Sequence, residues 1–421
     1  MDAFAEIIGY EDVKNELEMI CDIIKAPEKY KKLGVNEPKG LLLFGEPGVG
    51  KTSMAKCFTE ATGRKTFTCR KKKPDGAFIN EIVDIFEQAK KATPSIVLLD
   101  DMDKYANEDE QHKNAEEFVT LQTCIDDIKN LDVFVLATAN ALRDVPSSLL
   151  RAGRFDKTIE IENPMGEDAE KIIKHYLSKK NFVDEINTKE IAGILNGESC
   201  AQLETVINEA GIYAGYANKE KIDMQDMLKA CLRVIYRAPE KSKTENIEQI
   251  AYHEAGHAVL GELLDPGTVR LVTVQGNHGN VGGFTSQTKP DGYWYSKKLM
   301  ENRVISLLGG KAAIEVVFGM VDVGAADDLN RAFRIVDCFA DDYCANGFEN
   351  RIQSLCDTSN DLLSRKERQI STDMEGYYGQ AKRMLIDNRK GLTAVAEELI
   401  REKTITGNRV REIIELCNKH C

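Results

Sequence analysis

The strongest constraint on the fold is a glycine-rich loop between a short apolar run and a helical pattern. Residues 40–44 have the composition of a buried strand, and the loop after them has the spacing G-x-x-x-x-G-K-[ST]. In this context glycines let backbone N–H groups curl around phosphates, and the helix N-terminus adds partial positive charge. A turn that binds nothing is the weaker interpretation. The predicted phosphate-binding loop consists of Gly45, Glu46, Pro47, Gly48, Val49, Gly50, Lys51 and Thr52, with Ser53 directly after it.

Two acidic residues follow a second apolar run. Asp100 and Asp101 come directly after residues 95–99. We expect Lys51 to reach the outer phosphates of a nucleotide and the Thr52 hydroxyl to bind magnesium. Asp100 can hold the same ion, and Asp101 can polarise the attacking water. An ordinary helix-capping aspartate is the alternative, and the nearby phosphate loop makes it the weaker one.

Two arginines follow a third apolar run. Residues 133–137 are apolar, Asn140 comes shortly after them, and Arg151 and Arg154 lie further on, three residues apart. An arginine aimed at a γ-phosphate stabilises the negative charge that spreads during phosphoryl transfer, and a neighbouring subunit can supply it. The alternative is a pair of surface arginines in salt bridges, which is the usual role of such residues.

The order of these patterns predicts the architecture. Buried apolar runs that alternate with amphipathic helices indicate a parallel sheet with helices on both faces, which is an α/β fold. The strands then stop, a helical segment follows, and a polar stretch marks a domain boundary. Beyond it we expect mainly helices, with a β-rich insertion at 268–288 and a turn at 276–280. The predicted parts are an α/β nucleotide-binding subdomain at 1–163, a helical subdomain at 164–237, a linker at 238–246 and a mainly α-helical domain at 247–421.

The helical domain opens with the motif H-E-x-x-H. On a helix His253 and His257 are one turn apart, so both imidazoles project from the same face and can share one Zn²⁺. Glu254 is offset by about 100° and can act as the general base on a water. The same motif also occurs on helices without a metal, so the pattern alone leaves both interpretations open.

Composition limits the class of protein. A chain of 421 residues is too long for one ordinary core, and the net charge of −13 argues against general nucleic-acid binding. Eleven cysteines without a C-x-x-C pair indicate reduced thiols. No apolar run approaches the roughly 18 residues of a membrane helix, and the first residues do not resemble a signal peptide. We therefore expect a cytoplasmic protein.

Taken together, these segments resemble the AAA+ module of the FtsH family of ATP-dependent zinc proteases, and the resemblance covers nearly all of residues 3–415. It implies that Asn140 senses the γ-phosphate and that Arg151 and Arg154 reach into the ATP site of the next subunit. It implies that Ile8 and Gly9 line the adenine pocket, and that the subunits form a hexameric ring. The matching segments are 4–9, 38–40, 45–52, 86–90, 100–101, 140 and 149–156.

The resemblance continues into the second half of the chain. Residues 324–329 are similar to the FtsH segment that donates an aspartate to zinc, and Asp328 is the aligned position. Asp327 and Asp328 also fit a helix N-cap pair, and both roles can coexist. The family further implies that the strand near 281–285 pairs with the backbone of an extended substrate.

Three features depart from the family. The membrane-spanning segment is missing before residue 3, so we expect a soluble relative, unless an anchor has been removed. The water-polarising position, usually Glu, is Asp101, and a carboxylate displaced by about 1.5 Å can cost on the order of 10²-fold in rate. The substrate-gripping pore loop is replaced by residues 69–78. Its lysine run at 71–73 is most simply a solvated loop, with contact to acidic substrate segments as the alternative.

The leading hypothesis is an ATP-dependent zinc endopeptidase that unfolds and degrades polypeptides, with ATP, Mg²⁺ and one Zn²⁺ per subunit. One alternative is a zinc peptidase that binds ATP but does not depend on its hydrolysis, which Asp101 and the altered pore loop suggest. Another is a non-proteolytic chaperone or regulatory ring with vestigial sites.

Overall fold

The computed structural model divides the chain into two compact units. The first comprises Met1–Asp184, Leu195–Ile212 and Asn218–Ile222, and the second comprises Glu185–Ile194, Tyr213–Ala217 and Asp223–Cys421. The predicted boundaries at 163, 237 and 246 stay predictions. The residues that the structure describes are 3–71, 78–106, 115–180, 183–238, 246–276, 282–288, 296–322, 324–345, 347–348 and 359–419.

A parallel five-stranded sheet forms the centre of the first unit, which confirms the predicted α/β class. The strand order is β2-β3-β4-β1-β5, and all four neighbouring pairs run parallel. The carboxyl ends of β1, β3 and β4 therefore meet at one edge, where open α/β sheets bind their ligands. The strands are β1 Gly40–Phe44, β2 Lys65–Cys69, β3 Ser95–Leu99, β4 Val133–Ala139 and β5 Lys157–Glu160.

The helices of the first half place their apolar sides inward. The stripe on α8 is fully buried and consists of Leu203, Val206, Ile207 and Ala210. Helices α7 and α9 lie within the second unit, and α8 begins in the first. The helices are α1 Glu11–Lys25, α2 Pro27–Lys31, α3 Lys51–Thr62, α4 Phe78–Lys91, α5 Ala115–Asp127, α6 Gly166–Ser178, α7 Thr188–Ile194, α8 Cys200–Tyr216 and α9 Met224–Val234.

Further helices surround a central one, α10, in the second unit. Helix α10 is apolar on most of its faces, and its central residues are buried, as expected of a helix covered on all sides. It crosses α12 at Gly256 and Gly309, where a Cβ on either glycine would collide with the other's backbone. The helices are α10 Ile247–Leu264, α11 Lys297–Leu307, α12 Gly309–Phe318, α13 Ala326–Ala340, α14 Asn360–Asp387, α15 Arg389–Glu402 and α16 Gly407–Lys419.

A small antiparallel sheet of order β7-β6-β8 packs against α10. The predicted β-rich insertion is confirmed by β6 and β7, although most of the turn predicted at 276–280 lies outside the described residues. The third strand, β8, comes from near the end of the chain and was not predicted. The strands are β6 Val269–Thr273, β7 Phe284–Gln287 and β8 Thr404–Thr406.

Candidate functional site

The phosphate loop has a conformation that glycine makes possible. It joins β1 to α3, as the motif predicts, and Gly45, Gly48 and Gly50 all have positive φ. At Gly45 a Cβ would also collide with the carbonyl oxygen of Ile161. Within the loop the Val49 side chain is buried. The side chains of Glu46 and Pro47, and that of Ser53 directly after the loop, are exposed to solvent.

Lys51 is folded back onto this loop. Its Nζ donates hydrogen bonds to the carbonyl oxygens of Gly45 at 2.7 Å and Glu46 at 2.9 Å, and to Asn140 Oδ1 at 3.2 Å. Burial lowers the pKa of the Lys51 amine. Two residues that the sequence places 89 positions apart therefore meet at the sheet edge.

The predicted magnesium ligands also meet. Thr52 Oγ1 donates to Asp100 Oδ1 at 3.0 Å, and Thr138 Oγ1 donates to the same oxygen at 2.9 Å. Asp100 is almost fully buried, with 3% of its surface exposed. A hydroxyl and a carboxylate at this separation are oxygen ligands of the kind that Mg²⁺ prefers. The pair therefore fits the ion.

Asp101 is held by two cations that sequence reasoning missed. Its Oδ2 lies 3.2 Å from Arg70 and 2.7 Å from Lys104, and Arg70 also lies 3.5 Å from Asp100. Burial raises the pKa of the Asp101 carboxyl, but Lys104 and Arg70 outweigh it and lower the pKa below its usual value. Arg70 directly follows β2, a strand that the sequence analysis did not predict, so its proximity to β3 was not visible.

Arg151 and Arg154, the two arginines expected to reach a neighbouring ATP site, have different environments. Arg154 makes a bidentate pair with Asp126 of α5 at 2.9 and 2.7 Å, and donates to the Ser148 carbonyl at 2.6 Å. Arg151 is exposed. The salt-bridge alternative thus describes Arg154 in this subunit, whereas Arg151 remains available to a neighbour. Of the adenine-pocket candidates, Ile8 is half-buried and Gly9 is buried two residues before the start of α1.

Both histidines of the H-E-x-x-H motif lie on α10, and their rings meet edge-on, with an angle of 74° between the ring planes. The two Nε2 atoms are 3.1 Å apart, and Asp328 Oδ2 lies 3.5 Å from His253 Nε2 and 3.2 Å from His257 Nε2. One ligand atom from each of the three residues lies within 4.8 Å of the other two. Asp328 belongs to the first turn of α13, whose N-cap is Ala325, so the N-cap interpretation of Asp327 and Asp328 is wrong.

Contacts behind the rings fix their orientation. His257 Nδ1 donates to the carbonyl oxygen of Ser306 at 2.7 Å, which leaves Nε2 with a lone pair for a metal. His253 Nδ1 lies 2.5 Å from the Asp322 carboxylate. A carboxylate or carbonyl behind a ligand histidine is the usual arrangement at zinc sites. Asp322 was not predicted, because no local motif marks it.

The charges of this group favour a cation. Burial lowers the pKa of His253, but hydrogen bonds to Asp322 and Asp328 outweigh it and raise the pKa to about 10. For Asp328 the two effects have the opposite signs. Burial raises the pKa of this carboxyl, but the two imidazoles outweigh burial and hold the pKa well below its usual range. Two nitrogens and one carboxylate oxygen that converge in this way match the three protein ligands of a catalytic zinc site. The residues present therefore fit Zn²⁺.

The glutamate of the motif lies beside this group. Glu254 is 4% exposed, and its Oε2 accepts a hydrogen bond from Thr285 Oγ1 at 2.8 Å. Burial raises the pKa of its carboxyl. Glu254 and the three candidate ligands line a cleft of about 810 Å³ whose wall includes β7. A carboxylate of raised pKa in such a cleft can accept a proton from a water.

The fold and these two sites define an ATPase joined to a metallopeptidase. A family model for "ATPase family associated with various cellular activities (AAA)" matches residues 41–163, and one for "Peptidase family M41" matches residues 240–413. Within the described ranges, no helix has the length and apolar character needed to cross a bilayer.

Curated relatives match almost the whole chain. The ATP-dependent zinc metalloprotease FtsH 2 of Thermoanaerobacter sp. is 30% identical, with 99% of this chain and 84% of the relative covered. FtsH 2 of Symbiobacterium thermophilum is also 30% identical (98% and 74% covered), and FtsH of Bacillus subtilis is 28% identical (98% and 70% covered). The chain therefore belongs to the FtsH family of ATP-dependent zinc metalloproteases, as the sequence motifs predicted.

Proposed function

We propose that this protein is an ATP-dependent zinc endopeptidase that unfolds and degrades polypeptides, with Zn²⁺, Mg²⁺ and ATP as its cofactors. The observation that carries the proposal is the convergence of His253, His257 and Asp328 beside the buried Glu254. Family membership agrees with this function, and it favours neither the hydrolysis-independent peptidase nor the non-proteolytic ring.

In the peptidase site, His253, His257 and Asp328 would hold the metal. When bound, Zn²⁺ acts as a Lewis acid that lowers the pKa of water and polarises a carbonyl. Glu254 would take the proton of the attacking water and later deliver it to the leaving amine. Its raised pKa suits both tasks, because the carboxyl must accept a proton and release it again.

Strand β7 would bind the substrate backbone. It is an edge strand of its sheet and lines the cleft beside Glu254. An extended peptide that adds to such an edge is held by its main chain, so many sequences are accepted. This mode of binding suits an enzyme that degrades whole polypeptides.

In the nucleotide site, the loop residues and the residues at the sheet edge would each have a separate task. Lys51 would release the loop carbonyls to bind phosphates, and Thr52 with Asp100 would hold Mg²⁺. Asp101 would orient the attacking water, and Asn140 would contact the γ-phosphate. Ile8 and Gly9 would line the adenine pocket, and the loop residues from Gly45 to Ser53 would surround the phosphates.

The family relationship supports protein substrates and an oligomeric AAA+ assembly. We propose that the assembly is a hexameric ring in which Arg151 enters the neighbouring ATP site. Arg154, which is fixed by its pair with Asp126, would hold Arg151 in place. Residues 72–77 of the altered pore loop lie outside the described residues. Lys71, which is described, pairs with Glu117 at 3.1 Å. A cytoplasmic location, inferred from reduced thiols, remains part of the proposal.

The decisive experiment measures degradation of an unfolded, fluorescently labelled protein by zinc-loaded enzyme. It compares ATP, a non-hydrolysable analogue and no nucleotide. We expect cleavage that requires ATP hydrolysis and that Glu254→Gln abolishes, while zinc content and ATP binding are retained. The matched control is Glu248→Gln, the same change at an exposed position of α10, which should leave cleavage unchanged. Cleavage by Glu254→Gln would refute the assigned base, and cleavage without nucleotide would refute ATP dependence.

A further inference from the structure

One face of β7 fits closely onto the H-E-x-x-H turn of α10. Alternate residues of a strand share a face, and positions 283, 285 and 287 all contact α10. A Cβ at Gly283, the residue directly before β7, would lie 2.1 Å from the Thr273 carbonyl oxygen and 2.8 Å from Glu254 Cγ, so glycine is needed for this close approach. Gln287 Nε2 donates to Ser306 Oγ at 2.8 Å and to the carbonyl oxygen of His257 at 3.4 Å. The strand therefore contacts both Glu254 and the second histidine.

Thr285, between these two positions, is bonded directly to the glutamate. Its Oγ1 lies 2.8 Å from Glu254 Oε2 and 3.2 Å from the Glu254 carbonyl oxygen. Within the described part of the chain, Thr285 is the one side chain that donates a hydrogen bond to this carboxylate. A buried carboxylate oxygen without a donor is costly, so this hydrogen bond favours the orientation of Glu254 in which Oε2 faces Thr285.

We propose that Thr285 is a positioning residue for the general base. Its hydroxyl holds Oε2 of Glu254 and thereby directs Oε1 toward the water that must be deprotonated. This inference rests on the proposed peptidase function. It adds that β7 performs two tasks, because the strand whose edge binds the peptide backbone also sets the direction of the base.

The competing explanation is that Thr285 merely satisfies a buried polar group. In that case its loss would change stability or metal retention, and turnover would fall only as far as folded, zinc-loaded enzyme is lost. A positioning role instead predicts a fall in kcat of the fully loaded enzyme. The two explanations also differ for Thr285→Ser, which keeps the hydroxyl but loses a methyl group.

The test uses the full chain and compares Thr285→Val, Thr285→Ser and the control Thr372→Val. Valine has nearly the shape of threonine, and Thr372 is an exposed residue of α14 that donates to the Arg368 carbonyl. The readouts are kcat and KM on a short fluorogenic peptide, bound zinc and the thermal midpoint. We expect Thr285→Val to lower kcat about 10- to 100-fold with KM within about twofold, because a misplaced base slows the chemical step. Zinc content should stay at wild-type level, and Thr285→Ser should recover most of kcat.

Three other results would overturn the proposal, and a fourth would refute the peptidase function itself. Equal losses in the Val and Ser variants would overturn the proposal, because the hydroxyl would then not matter. Loss of zinc in proportion to activity would also overturn it in favour of the structural explanation, as would wild-type kcat in Thr285→Val. An inactive wild-type enzyme would refute the peptidase function itself, and this inference with it. Failure of the inference alone is recognised by an active wild type.

Discussion

The two candidate sites hold their key carboxylates in opposite ways. Glu254 is buried, has a raised pKa and accepts a hydrogen bond from a neutral hydroxyl. Asp101 is paired with the cations Arg70 and Lys104 and has a lowered pKa. The first arrangement leaves a carboxylate ready to accept a proton. The second keeps an anion in ion pairs, and Asp101 would have to release a cation before it could orient a water as proposed.

The sites also differ in completeness. The three candidate zinc ligands come from α10 and α13 of one subunit, and their ligand atoms already converge. In the nucleotide site, Lys51 is occupied by loop carbonyls and Arg151 faces solvent. The candidate ligands of the peptidase centre therefore converge within one subunit, whereas under the proposed function the nucleotide site would need a ligand and a neighbouring subunit to become complete.

The largest effect is expected at Arg151. Arg151→Ala should lower the ATP turnover of the assembled protein about 10³-fold or more, because an arginine finger contributes that much to phosphoryl transfer. The thermal midpoint should not change, since Arg151 is exposed. Arg154→Ala should lower the midpoint instead, because it leaves Asp126 without its bidentate partner. Steady-state ATPase assays and thermal denaturation measure both effects.

A mixing experiment shows whether Arg151 acts between subunits. Lys51→Ala subunits keep a working arginine, and Arg151→Ala subunits keep a working phosphate loop. Mixed assemblies should therefore recover part of the ATPase activity that each variant lacks alone. No recovery in mixed assemblies would mean that Arg151 acts within its own subunit, and the nucleotide site would then be as self-contained as the zinc site.

An intermediate effect is expected at Asp322. Asp322→Asn should weaken zinc binding about 10- to 100-fold, because a carboxylate behind a ligand histidine orients the ring and raises its basicity. Competition with a chromogenic chelator measures the affinity. Asp361→Asn, the same change at an exposed position of α14, is the control. Unchanged zinc affinity in Asp322→Asn would show that the His253 orientation does not depend on this contact.

The smallest effect is expected at Arg70. Arg70→Gln should raise basal ATP turnover about two- to fivefold, because a half-exposed ion pair contributes at most about 1 kcal/mol and its loss leaves Lys104 as the remaining one of the two cations on Asp101. Arg143→Gln, at a largely exposed arginine, is the control. A lower turnover in Arg70→Gln would mean that the guanidinium assists Asp101. The ion pair would then not restrain Asp101, contrary to the difference from Glu254 described above.

The sequence predicted the parts of these sites that lie close together along the chain. Strands β1 and β3 were predicted residue for residue because they are short, apolar and bounded by breakers. Strand β2 was missed, since Thr66 and Thr68 alternate with Phe67 and Cys69, so the strand has no apolar run. Arg70 could not be connected to Asp101 without the pairing of β2 with β3.

The zinc site shows the same limit. The spacing of His253 and His257 follows from helix geometry, but no local pattern connects them with Asp328, which was placed by resemblance alone. Asp322 and Thr285 were missed as partners of these residues. Their contacts depend on where the segment before α13 and the edge strand β7 meet α10, and that is a property of packing rather than of sequence spacing.

The crossing of α10 and α12 has a consequence for anyone who wishes to redesign this enzyme. The two middle letters of H-E-x-x-H suggest freedom, yet Gly256 occupies the second of them and touches Gly309 with its backbone. A library that randomises the motif should return glycine at that position almost exclusively. The next residue, Gly310, lies against the ring of His253 and should be equally intolerant. Variation introduced to retune the metal centre is therefore better directed at the residues behind it.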